Sequence, residues 1–155
     1  MSADEYAEFV KYKESLKSPS PQSPITAIAG SGKSIACLSS SSKWVIDSGA
    51  SDHMTGNQQL FSNFEPYATT SRVTLVDGST SCVIGSGTVN PTPSLPLSSV
   101  LSLPNFSFNL LSVSKLTRAL NCCISFFPDH CLFQDLTTKR IIGRGHVSEG
   151  LYMLD

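Results

Sequence analysis

The chain lacks the features that mark nucleic-acid-coating, secreted or membrane-spanning proteins. Among 155 residues there are 11 lysines and arginines against 12 aspartates and glutamates, a formal net charge of −1. No cluster of basic residues could neutralise a row of phosphates, so direct nucleic-acid binding by this segment is not expected. There is no apolar run long enough to cross a bilayer and no secretory leader, so no membrane partner is expected. Cysteine is scarce and odd in number, at Cys37, Cys82, Cys122, Cys123 and Cys131. In such a chain these read as reduced thiols of a cytoplasmic protein. Cys122-Cys123 and His130-Cys131 are adjacent pairs and do not have zinc-ligand spacing, so they read as small buried hydrophobes. No metal or other cofactor is called for.

The length suits one domain with tails. Residues 2 to 16 open with Ser2-x-x-Glu5, a capping-box pattern, and place Tyr6, Phe9, Val10 and Leu16 at helical spacing, which predicts an amphipathic helix over residues 1–16. Residues 17–42 turn to serine and proline, a composition that builds no core and reads as a flexible linker. Within it, Gly30-Ser31-Gly32-Lys33-Ser34 resembles the end of a phosphate-binding loop, but Ala27 stands where the first glycine is needed and no strand and helix flank it. The folded domain is expected over residues 43–155. It reads as all-β and mainly antiparallel, with strands at 72–76 and 80–84 joined through Asp77-Gly78-Ser79, and further strands at 97–103, 122–127, 130–135 and 140–143. Residues 57–67 read as a loop or short helical turn, Gly85-Ser86-Gly87 as a sharp bend, and residues 91–96, with three prolines, as a loop.

What is present in strength is Asp47-Ser48-Gly49-Ala50-Ser51, reached through Trp44-Val45-Ile46 and followed by His53-Met54. An aspartate in a tight glycine turn at a strand end suits acid–base chemistry. Ser48 offers a hydroxyl, and Gly49 lets backbone amides approach the carboxylate. The same three residues also fit an ordinary corner in which the aspartate caps an amide. The extended form Trp-x-x-Asp-Ser-Gly-Ala-Ser-x-His-Met resembles the active-site turn of retropepsin-like aspartic proteases as carried by Ty1/copia-type retrotransposon Pol polyproteins. A second stretch is similar to the same polyproteins: Val-Leu-x-x-Pro-Asn-x-x-x-Asn-Leu-Leu-Ser-Val-x-x-Leu over residues 100–116, read as a strand, a turn and a helix capped by Asn109 or a nearby serine. Gly150-Leu151-Tyr152-Met153-Leu154 resembles their segment leading toward the integrase. Together the matching segments run from about residue 43 to 155.

The resemblance implies a retropepsin-like closed β-barrel with one short helix. It implies Asp47 as the catalytic carboxylate, with Ser48, Gly49 and Ala50 building the turn. Aspartic proteolysis uses two carboxylates that share one proton across a water, which favours mildly acidic pH. The chain holds no second Asp-Ser/Thr-Gly, so the resemblance implies a homodimer with one Asp47 from each copy at a two-fold axis. The hairpin at Val76, Asp77, Gly78 and Ser79 stands where a retropepsin has its flap, though a plain edge hairpin fits equally. The implied function is processing of a retrotransposon Gag-Pol polyprotein, with peptide segments of that polyprotein as substrate, in the cytoplasm or an intracellular particle. One departure from the pattern is the set of strands after the helix, which reads as a self-contained extension of the barrel rather than as strands interleaved between two copies. It keeps open a second reading, a non-catalytic β-barrel module of a truncated or domesticated polyprotein. His53 reads as a packing or hydrogen-bonding residue, because an aspartic dyad has no use for an imidazole base.

Overall fold

The computed structural model describes residues 43–75 and 77–155. The expected N-terminal helix, the linker, the phosphate-loop-like segment, Cys37 and Val76 lie outside the described residues. The elements are β1 (Val45–Asp47), β2 (Met54–Thr55), β3 (Phe61–Thr74), β4 (Thr80–Thr92), β5 (Leu95–Ser102), β6 (Asn109–Ser112), α1 (Val113–Leu120), β7 (Cys122–Phe126), β8 (His130–Asp135), β9 (Ile141–Ser148) and β10 (Leu151–Leu154), with a 3₁₀ turn at Gln58–Leu60.

The ten strands form one sheet in the order β3-β4-β5-β2-β6-β1-β10-β9-β8-β7. Pairing is antiparallel except between β1 and β6 and between β2 and β5. The sheet is not closed into a barrel: β3 and β7 are its two edges, and no ladder joins them among the described residues. The expected closure is corrected here, and the reason lies in β3, which is exposed along most of its length and has little apolar face to bury against the far edge. The sheet curls instead. Gly143 of β9 comes so close to β5 that a Cβ there would stand 2.6 Å from Leu95 Cδ1.

That curl encloses a core in which Trp44 and Ile46 of β1 meet Leu97, Leu111, Phe133 and Leu154, and in which Leu116 of α1 is fully buried. A smaller cluster of Met54, Val83 and Leu103, with Val73, Leu75 and Leu110 against it, lies under the β3–β4 hairpin. β5 serves the main core through an irregularity. Leu95, Leu97 and Val100 are all buried, which strict alternation forbids, and the register slips between Gly87↔Val100 and Val89↔Leu97 where Ser99 takes a φ of 52°.

The expected hairpin through Asp77–Ser79 and the expected meander of β7, β8 and β9 are present. Four local readings come out differently or more narrowly. Residues 61–67 are the first half of β3, not a loop. Gly85 and Gly87 do not bend the chain; β4 runs through both, because the β3 backbone crosses so closely that a Cβ at 87 would collide with the Asn63 carbonyl and one at 85 would stand 2.5 Å from the Glu65 carbonyl. The proline-rich stretch contributes to two strands, with only Pro93 and Ser94 turning between β4 and β5. Asn109 does not cap the helix: it lies in β6, where its Oδ1 accepts from Thr55 Oγ1 at 2.6 Å and its Nδ2 donates to the Lys43 carbonyl. Ser112 is the cap, accepting from the Lys115 N–H at 3.2 Å.

Candidate functional site

β1 ends on Asp47 and lies between β6 and β10, with Asp47 opposite Ser112 in the parallel ladder. Trp44 and Ile46 enter the core, so strand alternation sends Asp47 to the opposite face, where it is half-buried. Beyond it the chain reverses over Ser48 to Asp52. The Gly49 N–H donates to Asp47 Oδ1 at 2.7 Å, the bond of an Asx turn. A Cβ at residue 49 would stand 3.3 Å from that same oxygen, which is why a glycine suits the position. The other carboxylate oxygen, Oδ2, has no hydrogen-bond partner among the described residues. Ser48 is exposed, and the Ala50 carbonyl accepts from Ser112 Oγ at 2.7 Å.

Behind the turn lies a frame that sequence reasoning did not assemble. Asp52 pairs with Lys115 of α1 at 2.8 Å, and the same ammonium donates to the Ser99 carbonyl at 3.0 Å. The hydrogen bond from Lys115 holds the Asp52 carboxyl below the usual carboxylate range, against the effect of its partial burial. His53, only 1% exposed, accepts the Ser112 N–H on Nδ1 at 3.0 Å, so that nitrogen carries no proton. Burial pushes its imidazole down to about 4, with Lys115 adding to the depression and Asp52 opposing it. The signals for this frame were the serine before Val113, which marks a helix start, and the histidine six residues past Asp47. Neither says in sequence that the two meet.

The hairpin turn is stitched by its own bonds. The Leu75 N–H donates to the Ser79 carbonyl at 2.8 Å, the Gly78 N–H donates to the Leu75 carbonyl at 2.9 Å, and Gly78 takes a φ of 82°, a pattern that glycine favours. Asp77 Oδ1 accepts from both the Ser79 N–H and the Ser79 hydroxyl, which lowers the Asp77 carboxyl. Val73 and Leu75 anchor the hairpin on the cluster containing Leu110, which is the ladder partner of Val45. Val45 and Asp47 share a face by alternation, so the hairpin and Asp47 lie on the same side of the sheet. No hydrogen bond joins Asp77, Gly78 or Ser79 to the Asp47 turn among the described residues.

Among the described residues, no three His, Cys, Asp or Glu side chains come together as a metal site, and no helix is long and apolar enough to cross a membrane. The fully buried Cys131 lies against Ile46, where burial pushes its thiol up to about 11.

Residues 44–120 match the family model of the Pol polyprotein β-barrel domain. More particularly, the chain is homologous to retrotransposon Pol polyproteins. It is 31% identical over 155 residues to the Retrovirus-related Pol polyprotein from transposon RE1 of Arabidopsis thaliana, covering 97% of this chain and 11% of that protein. It is 35% identical over 112 residues to the Retrovirus-related Pol polyprotein from transposon RE2 of the same plant, covering 70% of this chain and 8% of that protein. The chain thus spans about a tenth of the length of these curated relatives. No solved structure matches it.

Proposed function

We propose that the chain is the aspartic endopeptidase segment of a copia-type retrotransposon Pol polyprotein, acting as a homodimer on peptide segments of that polyprotein. The observation that carries this reading is the Asp47 carboxylate. One oxygen is fixed at 2.7 Å by the Gly49 N–H, while the other has no partner among the described residues, at the end of a strand whose flanks are buried. A carboxylate oriented in this way can share a proton with a second Asp47 across a water. In such a pair one carboxylate takes a proton from the water while its protonated mate donates to the scissile carbonyl. The β3–β4 hairpin, anchored on the same face, would close over the peptide through Val76, Asp77, Gly78 and Ser79 and exclude water. Ser48 and Ala50 complete the turn, one exposed and the other tied to Ser112.

A second reading is favoured by one specific observation. β10 pairs with β1, Val45 opposite Met153, so the C-terminal strands fill the open side of β1 within one protomer. This supports a non-catalytic module that keeps the turn as a structural corner. The test is cleavage of the longer Pol precursor at about pH 6, comparing wild type with Asp47→Asn, which keeps the shape and removes the ionisable group. The protease reading expects the variant to lose processing by about 100-fold or more. Equal absence of processing in two equally folded samples would favour the module.

A further inference from the structure

The Asp47 turn is held from behind largely through one residue, Ser112, by its hydroxyl and its backbone amide. Ser112 is fully buried, stands opposite Asp47 in the β1–β6 ladder, caps α1 with its hydroxyl and donates that hydroxyl to the Ala50 carbonyl. Its N–H has one acceptor, His53 Nδ1 at 3.0 Å. His53 is itself tied to β5, since the Leu101 N–H donates to the His53 carbonyl at 2.9 Å.

We propose that His53 is a positioning residue for Asp47: its unprotonated Nδ1 locks the turn onto the start of α1, so that the site stays assembled only while this imidazole is neutral. Its bearing on catalysis rests on the protease reading of Asp47; the lock itself rests on geometry. A proton on Nδ1 would set two N–H groups against each other and leave the buried Ser112 amide without an acceptor, a costly state in a site that water does not reach. The charged groups around the ring act together. From α1, Lys115 opposes a cation on the ring; from the turn, Asp52 would favour one but is already paired to Lys115 at 2.8 Å; Asp47 lies at the far end of the same turn. β2, β5 and β6 bring no titratable side chain.

The folded imidazole, at about 4, binds its proton less readily than an exposed one at 6.5. The unfolded or opened state therefore takes up the proton first as acid is added. The contribution of the lock is complete above 6.5 and is lost as pH falls from there toward about 4. Over that window the equilibrium constant for opening should rise on the order of 100-fold from this group alone.

The experiment follows the His53 ring signals and the Ser112 amide by NMR between pH 7 and pH 4, beside denaturant unfolding of wild type and of His53→Asn. Asparagine places an amide oxygen near the Nδ1 position and cannot titrate. Wild type is expected to show a ring midpoint far below 6.5, with Ser112 protection from exchange lost in the same range, and His53→Asn is expected to lack that part of the acid transition. A ring titrating near 6.5 with the Ser112 amide unmoved would overturn the lock from wild type alone, even if the variant did not fold. So would an acid transition that is unchanged in a folded His53→Asn protein. Absence of cleavage at every pH with the ring and amide behaving as described would sink the protease reading and leave the lock standing. Cleavage with an ordinary ring titration would do the reverse.

Discussion

Ser112 is the residue on which most of the site's local order converges. Its hydroxyl donates to Ala50 and accepts from the Lys115 N–H, and its amide meets His53. Ser112→Ala is therefore expected to lower stability by about 1–2 kcal/mol, from a lost cap and an unsatisfied carbonyl, as read by chemical denaturation. Lys115→Met should be much milder, below about 1 kcal/mol at neutral pH, because the Asp52 pair is partly exposed and solvent screens it. What the pair does contribute is present above 3.8, the ordinary value of Asp52, and is lost as pH falls through its lowered folded value. The same substitution removes a cation near His53, so the ring's midpoint should move upward, a shift that NMR titration would show. Asp47 and its turn were legible in sequence because their bonds are local, the amide donor lying two residues on. The partners of His53 and Ser112 were not, because their bond spans 59 positions and depends on β6 lying beside β1.

At the scale of elements, the β3–β4 hairpin shows where local signals succeed and where they mislead. Asp77-Gly78 announces a turn whose geometry is set within a few residues, and the structure has it there. Gly85-Ser86-Gly87 carries the same kind of signal, yet its glycines serve a close backbone crossing that only the pairing with β3 creates. Pro66 lies in β3, where an edge strand and a register slip tolerate a residue with no N–H. Gly87→Ala is a sharp test of the crossing. It should destabilise by about 2 kcal/mol or more, since the colliding atom is a backbone carbonyl that cannot swing away. A change under about 0.5 kcal/mol in denaturant titrations would show that the two strands can part cheaply.

For the molecule as a whole, the matched family region ends at residue 120, whereas the core continues past it. Phe133 and Leu154 are buried in the cluster that holds Trp44, Leu97 and Leu111, and β10 covers one side of β1. Residues 43–120 alone are therefore expected not to fold cooperatively. Near-UV circular dichroism from Trp44 would be weak and denaturation without a sharp transition, in contrast to residues 43–155. Strand content was readable from alternation and turn residues; the strand order was not, because the two parallel pairings of β1 and β2 join segments far apart in the chain. That order also fixes how two copies could share a site. β1 stands four places from one border of the sheet and five from the other. Two protomers joined border to border through β7 would separate their Asp47 carboxylates by nine strand spacings, roughly 43 Å along the sheet at ~4.8 Å each, while a shared proton requires about 3 Å. Edge pairing through β7 therefore keeps the two carboxylates apart along the sheet, whereas a contact at the corner where Ser48 and Ser51 are exposed would bring them together.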